Sequence, residues 1–347
     1  MKSTFNSILI VLLFTVFTQL SKAQLITTTR NCGTAAPNNQ FENWVNSLYP
    51  TQATTKGSGS GNNSTMAVFN IPVIVHVVHN NEAVNTIGAT SGNNLNSAQI
   101  QNQITILNRD FNGLNPDTTL IPAIFKPLLG KFQFNFCLAV VNPTGGVLAE
   151  PGIDRVNRVS KGWNAFPYSM AYTDATVKPN SIWDPNKYLN MWTVPLSGGI
   201  LGYATFPNPG TSGITGIPAP YGSATTDGLV MPPNYFGSIG TAAASYPYNG
   251  GRTVVHEMGH WVGLRHIWGD ATCATDYCND TPTQQDATTG CPLNDNANRC
   301  NAAVPTMYQN YMDYSDDACL NTFTAQQALR CQTVIDNSPR RFSLISS

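Results

Sequence analysis

His256-Glu257-Met258-Gly259-His260-Trp261-Val262-Gly263-Leu264-Arg265-His266 is the stretch whose reading decides the fold. It holds three of the chain's five His and one of its four Glu. On a helix, residues four apart share a face, so His256 and His260 can offer imidazole nitrogens to one metal ion. A third ligand six residues on cannot come from the same straight helix. The chain must turn, and Gly263 is the residue able to take the left-handed conformation that ends a helix. His266 then returns to the metal. Three protein ligands leave a tetrahedral position open for water, which is the arrangement of a catalytic zinc site. Glu257 stands about 100° round the helix from His256, beside that position. It is placed to take a proton from the zinc-bound water and hand it to a leaving amine. Val255, Met258 and Val262 form the apolar side that would anchor the helix in a core. The competing readings are a closed structural zinc site and a helix of stacked core histidines; a closed site would recruit a fourth Cys or His nearby.

Outward from this motif, the C-terminal side is rich in loops and carries six of the eight Cys: 273, 278, 291, 300, 319 and 331. It reads as a cap stapled by disulfides, and six Cys leave 15 connectivities open. Thr324 and Gln327 form a capping box for a last helix running from Phe323 to about Asp336. On the N-terminal side, Tyr188–Val194 and Asp227–Met231 read as short strands. Phe132–Leu138 alternates as a half-buried strand, and Ser97–Asn112 carries Ile100, Ile104, Leu107 and Phe111 at helical spacing. Asn70–Val78 is a continuous apolar run expected as a buried strand, with His76 and His79 as packed or surface strand histidines rather than groups that support the metal or touch substrate.

The first residues are of another kind. Met1 to Ala23 reads as a secretory signal peptide, with Lys2, an apolar stretch Ile8–Phe17 and the small-residue site Ser21-Lys22-Ala23. That stretch is too short to span a membrane, so the mature chain is expected to be secreted, extracellular or periplasmic. Residues 24–66 form a separate segment: Arg30-Asn31-Cys32-Gly33-Thr34, a short amphipathic run Phe41–Leu48, and a linker of Thr, Gly, Ser and Asn from Thr51 to Thr65 that contains the formal sequon Asn62-Asn63-Ser64. The thiolate of Cys32 could fill the open zinc position and hold the enzyme latent, or Cys32 could instead be disulfide-bonded. The catalytic domain is then 67–347. A net charge of −1 with 11% charged residues gives no basic surface and no electrostatic case for nucleic acid. Protein or peptide substrates and a monomeric state are expected.

The motif H-E-x-x-H-x-x-G-x-x-H is the metzincin signature, and Met312 in Asn310-Tyr311-Met312-Asp313-Tyr314 resembles the Met-turn beneath the metal. Arg30–Thr34, Ile71-Pro72-Val73, Leu107–Phe111, Trp183-Asp184-Pro185, Tyr188–Trp192, Gly251-Arg252-Thr253, Trp268-Gly269-Asp270, Asp280-Thr281-Pro282 and Phe323-Thr324 together resemble the pappalysin family over about residues 30–331. The resemblance implies an α+β metzincin-like domain: a twisted mixed sheet, a backing helix and a zinc helix above the cleft, and a loop-rich, disulfide-stapled lower subdomain with a C-terminal helix. It implies a zinc metalloendopeptidase made as a latent precursor, with Glu257 catalytic and His256, His260 and His266 on zinc. It also implies Tyr314 at the oxyanion, Cys32 as the latency ligand, and a calcium site at the loop holding Asp276 and Thr281. It makes Cys273–Cys300 and Cys291–Cys319 the family-like bridges. Cys278 and Cys331 stand where the family has apolar residues, and they are expected to pair. Relatives that cut before Arg carry Asp directly ahead of the cysteine matching Cys319; here that residue is Ala318, with Asp316 and Asp317 just before it, so Arg preference is not carried over. A secreted zinc-binding or adhesive protein that kept the scaffold and lost activity is the alternative, and Glu257 argues against it. A metallo-enzyme acting on a non-peptide bond has no supporting feature.

Overall fold

The computed structural model describes residues 29–48, 68–210, 221–294 and 298–345. The expected signal peptide and the linker with its sequon lie outside the described residues. The apolar run predicted as a strand is the centre of the sheet, β1 (Phe69–His79). Its first half pairs in parallel with β2 (Phe134–Leu138) and its second half with β3 (Ile153–Asn157). On the other side it pairs in parallel with β4 (Leu189–Thr193). Next come β6 (Leu229–Met231), parallel to β4, and at the edge the two-residue β5 (Tyr203–Ala204), antiparallel to β6.

Side chains alternate across this sheet, as the strand pleat requires. Phe69, Ile71, Val73, Val75 and Val77 join Met191, Leu229, Met231 and Ala204 on one face. Val78, Trp192, Val230 and Tyr203 lie on the other. The first face is covered by α2 (Ser97–Phe111), which buries Ile100, Ile104, Leu107 and Phe111 and is capped by the Asn96 side chain on the Gln99 N–H at 2.9 Å. Beside it lies α4 (Arg252–Trp261), whose Val255 and Met258 enter the same core. A burial of this size, at ~25 cal/mol per Å² of apolar surface, is what fixes α4 against the sheet. His76 lies on the second face, stacked on Trp192 at 5.1 Å and bonded to Asp154 (2.8 Å) and Asn190 (2.9 Å). It is a packed histidine, separated by the sheet from the motif.

Two helices close the chain: α5 (Ala325–Asn337), with both halves of the Thr324/Gln327 capping box formed, and α6 (Pro339–Ile345). A single turn, α3 (Met170–Tyr172), sits in the long connection before β4. The pre-linker segment is described from residue 29 and includes α1 (Asn39–Leu48). Disulfides join Cys273 to Cys300 and Cys291 to Cys319 in the loops below α4. The expected Cys278–Cys331 bond is corrected: both are free buried thiols. Cys331 packs into the main apolar core from α5, and burial pushes both thiols well above their usual range, so they behave as small apolar side chains.

Candidate metal centre and cleft

The turn after α4 is made as its sequence predicts. Gly263 has φ +100°, and Gly263 and Leu264 donate their N–H groups to His260 O and Gly259 O at 2.9 Å each. This brings His266 back, and the Nε2 atoms converge: His260 lies 3.2 Å from His256 and 3.1 Å from His266. Two nitrogens ~2.0–2.1 Å from one tetrahedral ion would stand about 3.3 Å apart. Cys32 Sγ joins them, all four donor atoms lying within 4.8 Å of one another.

The far nitrogen of each ring is committed. His256 Nδ1–H donates to Tyr311 O at 2.7 Å, His260 Nδ1–H to Leu264 O at 2.8 Å, and His266 Nδ1–H to the Asp270 carboxylate. Each bond sets the tautomer that leaves the Nε2 lone pair pointing at the common centre. Burial, with the neighbouring imidazoles, pushes His256 well below and His260 down to about 3. His256 and His260 are therefore neutral, as ligands must be. Asp270 was not singled out in the sequence as an orienting group, although His266 and Asp270 stand four residues apart.

Met312 lies directly under the helix. A Cβ at Gly259 would sit 2.4 Å from its Sδ, so glycine at that position is what admits the methionine. The Met312 N–H is held by Asn310 Oδ1 at 2.9 Å. Tyr314 stands at the edge of the cluster, its ring 5.1 Å from His266 and 5.7 Å from His256, and burial raises its hydroxyl far above the ordinary range. Trp268 stacks on His266 at 4.4 Å. Glu257 is buried beside the ligands, and burial pushes its carboxyl up to about 7 against the pull of bonds from Thr34 and Cys32.

The pre-linker segment fills the cleft. Residues 31–33 pair in parallel with the edge at Leu201 and Gly202: Leu201 N–H to Asn31 O at 2.9 Å, Gly33 N–H to Gly202 O at 2.8 Å. Thr34 Oγ1 donates to Glu257 Oε2 at 2.8 Å, and Cys32 Sγ lies 3.4 Å from the same oxygen. To one side of Cys32, Arg30 enters a buried pocket. Its guanidinium meets Asp317 Oδ1 at 2.5 Å and Thr253 Oγ1 at 3.2 Å, and lies 4.8 Å over the Tyr248 ring. Asp317, one of the two acidic residues just before Ala318, thus supplies the carboxylate that meets Arg30. Its other oxygen accepts the N–H groups of Gly250 (2.7 Å) and Arg252 (3.2 Å), at the start of α4. No local spacing in the sequence reveals the roles of Arg30 and Thr34, because each partner lies more than two hundred residues away.

At the loop expected to bind calcium, Thr281 Oγ1 donates to Asp276 Oδ1 at 2.8 Å, while the buried Asp276 Oδ2 has no hydrogen-bond partner. Burial raises Asp276 to about 7. A 280 Å³ cavity lies against it, lined by Asp276, Asn279, Thr281 and Asn301 among others.

A sheet edge, a histidine-ligand helix ending in a glycine turn, and a methionine loop beneath define a metalloendopeptidase of the metzincin class. Comparisons agree. The family described as pregnancy-associated plasma protein-A, peptidase family M43, matches residues 171–336. An extracellular metalloprotease of Verticillium alfalfae is 31% identical over 306 residues, 87% of each chain. Mature mirolysin of Tannerella forsythia, solved with a cleaved peptide, is 35% identical with a TM-score of 0.66, over 80% of this chain and 96% of that one. A promirolysin mutant of the same organism is 31% identical with a TM-score of 0.70, over 91% and 97%. The chain belongs to the M43, or pappalysin, family of metalloproteases. Among the described residues no helix is long and apolar enough to cross a membrane.

Proposed function

We propose that this protein is an exported zinc endopeptidase made as a latent precursor, with residues 24–66 as pro-segment and linker and 67–347 as the catalytic domain. The observation that carries it is the convergence of three Nε2 atoms, each oriented through its Nδ1, beside a buried glutamate. Three imidazoles and a thiol are the borderline-soft donor set that tetrahedral zinc takes. A bound zinc ion supplies Lewis-acid polarisation of the scissile carbonyl and acidifies water. Glu257 takes the proton of the attacking water and returns it to the leaving amine, and a carboxyl raised toward neutrality suits both steps. The Tyr314 hydroxyl stays protonated and donates to the developing oxyanion.

Latency is threefold in this reading. Cys32 takes the fourth donor position, Thr34 occupies the Glu257 carboxylate, and Arg30 fills the side pocket. The Arg30–Asp317 pair supports a preference for a basic residue, Arg foremost, beside the cut. The unpartnered Asp276 oxygen, with Thr281, fits a hard cation such as calcium. The relatives' description as extracellular proteases supports export.

Mass spectrometry of the precursor incubated with zinc and calcium tests this, wild type beside Glu257→Ala. Trimming of the wild type within about residues 50–70, with the variant intact, is the expected result. A zinc-loaded, trypsin-trimmed protein that leaves denatured substrates uncut would overturn it.

A further inference from the structure

On the other side of Cys32 from Arg30, the pre-linker segment is held by a second charged anchor. Glu42 on α1 is buried, and its carboxylate is shared by two buried arginines. Arg265 Nε donates to Oε1 at 2.7 Å, and Arg330 Nη2 donates to both oxygens at 2.9 and 2.8 Å. The side chains are 8% exposed at most. Both arginines belong to the catalytic domain and are fixed from behind. Arg330 Nε donates to Gly263 O at 2.9 Å, in the turn that returns His266, and Arg265 Nη1 stands 3.6 Å from Asp270 Oδ2. Arg265 also donates to the backbone oxygen of Pro37, five residues beyond Cys32, so it grips the peptide chain as well as the side chain. Phe41, Trp44 and Val45 pack beside this clamp against Phe206, Tyr221 and Val334. The Phe206 ring touches both Phe41 (5.7 Å) and the ligand His260 (5.5 Å). The seat of α1 is therefore continuous with the metal centre.

We propose that Arg265 and Arg330 form a carboxylate subsite in the mature enzyme. It reads a Glu or Asp of the substrate on the opposite side of the scissile bond from the residue held by Asp317. The proposal rests on the protease reading and on release of the pro-segment. Release removes the Glu42 carboxylate but leaves two pre-oriented guanidiniums, and a pair of them converging on one point recognises a carboxylate through charge-assisted hydrogen bonds. A substrate with an acidic residue on one side and a basic residue on the other would repeat both charged anchors of the pre-linker segment.

The test uses the processed enzyme and peptides with Arg following the cut. Glu and Gln are compared at each of the eight positions on the other side. At one or two adjacent positions Glu should raise kcat/KM about tenfold or more over Gln, mainly through KM. In Arg330→Gln that ratio should fall to within twofold of one. Should that variant fail to fold, binding to the wild-type enzyme decides. A labelled peptide of residues 38–48 should bind at least tenfold more weakly when it carries Glu42→Gln. Cleavage with Glu and Gln equivalent at every position, or a preference that survives Arg330→Gln, overturns the subsite and leaves the protease standing. Equal binding of the two labelled peptides overturns it as well. No cleavage of any peptide by the zinc-loaded enzyme overturns the protease reading and the subsite together.

Discussion

Asp317→Asn separates charge recognition from structure at the pocket that holds Arg30. The asparagine keeps one oxygen for the Gly250 and Arg252 N–H groups at the start of α4 and turns its amide NH₂ toward the guanidinium. Arg30 and Asp317 are 1% and 2% exposed, so the lost charge is not replaced by water. Breaking a buried pair by neutralising one partner costs about 3–5 kcal/mol. The Tyr248 face, the Thr253 hydroxyl and Ser315 O remain and hold the estimate at the lower end. At ~1.4 kcal/mol per decade, kcat/KM for a peptide with Arg in this pocket should fall roughly 10²- to 10³-fold. A matched peptide with Met there should change less than about threefold. The assay is steady-state cleavage of both peptides by trimmed enzyme. An equal loss on both would mean that Asp317 serves only the start of α4. No loss on either would mean that the Arg30 contact has no counterpart in substrate binding.

Three further outcomes are expected. Asp270→Ala should weaken metal affinity about 10- to 100-fold in chelator competition, with Asp270→Asn less affected because its amide oxygen still accepts the His266 proton; unchanged affinity would refute an orienting role. Cys32→Ala precursor should trim itself at least tenfold faster than wild type in a mass-spectrometric time course, and equal rates would remove the thiol from latency. Burial holds the Asp276 carboxyl up to about 7 against an ordinary 3.8, so in calcium-free protein its contribution to stability is fully present below about pH 4 and is lost as pH rises through about 7. Calcium should therefore raise Tm more at pH 8 than at pH 5, and Asp276→Asn should abolish the difference; a calcium effect independent of pH would count against Asp276 as a ligand.

What could be read in advance was local. The histidine spacing, the glycine turn, the Thr324 capping box and the alternating or apolar strands are patterns of a few residues, and each stands where its periodicity placed it. Ile153–Asn157 and Tyr203–Ala204 carry no strand pattern in the sequence, because one has Asp and Arg among its five residues and the other is two residues long. Arg30, Thr34 and Glu42 find their partners only after the chain has folded back across more than two hundred residues. No spacing rule reaches that far. Cys278 and Cys331 show the opposite error. A departure from a family pattern at two positions suggested a bond, but the pattern carries no information on whether the thiols face each other.

The shortness of β5 has a further consequence. While the pre-linker segment is in place, the backbone at Leu201 and Gly202 is paired with residues 31 and 33, and the Ala204 N–H donates to the Thr34 hydroxyl oxygen. Without it, this border of the sheet is open, and open strand borders invite adhesion between molecules. A border of two or three residues is too short to zip two enzyme molecules into a lasting ribbon, yet long enough to grip a passing peptide by its main chain whatever its side chains. The same brevity that hides this strand in the sequence limits such adhesion while leaving the border long enough to bind.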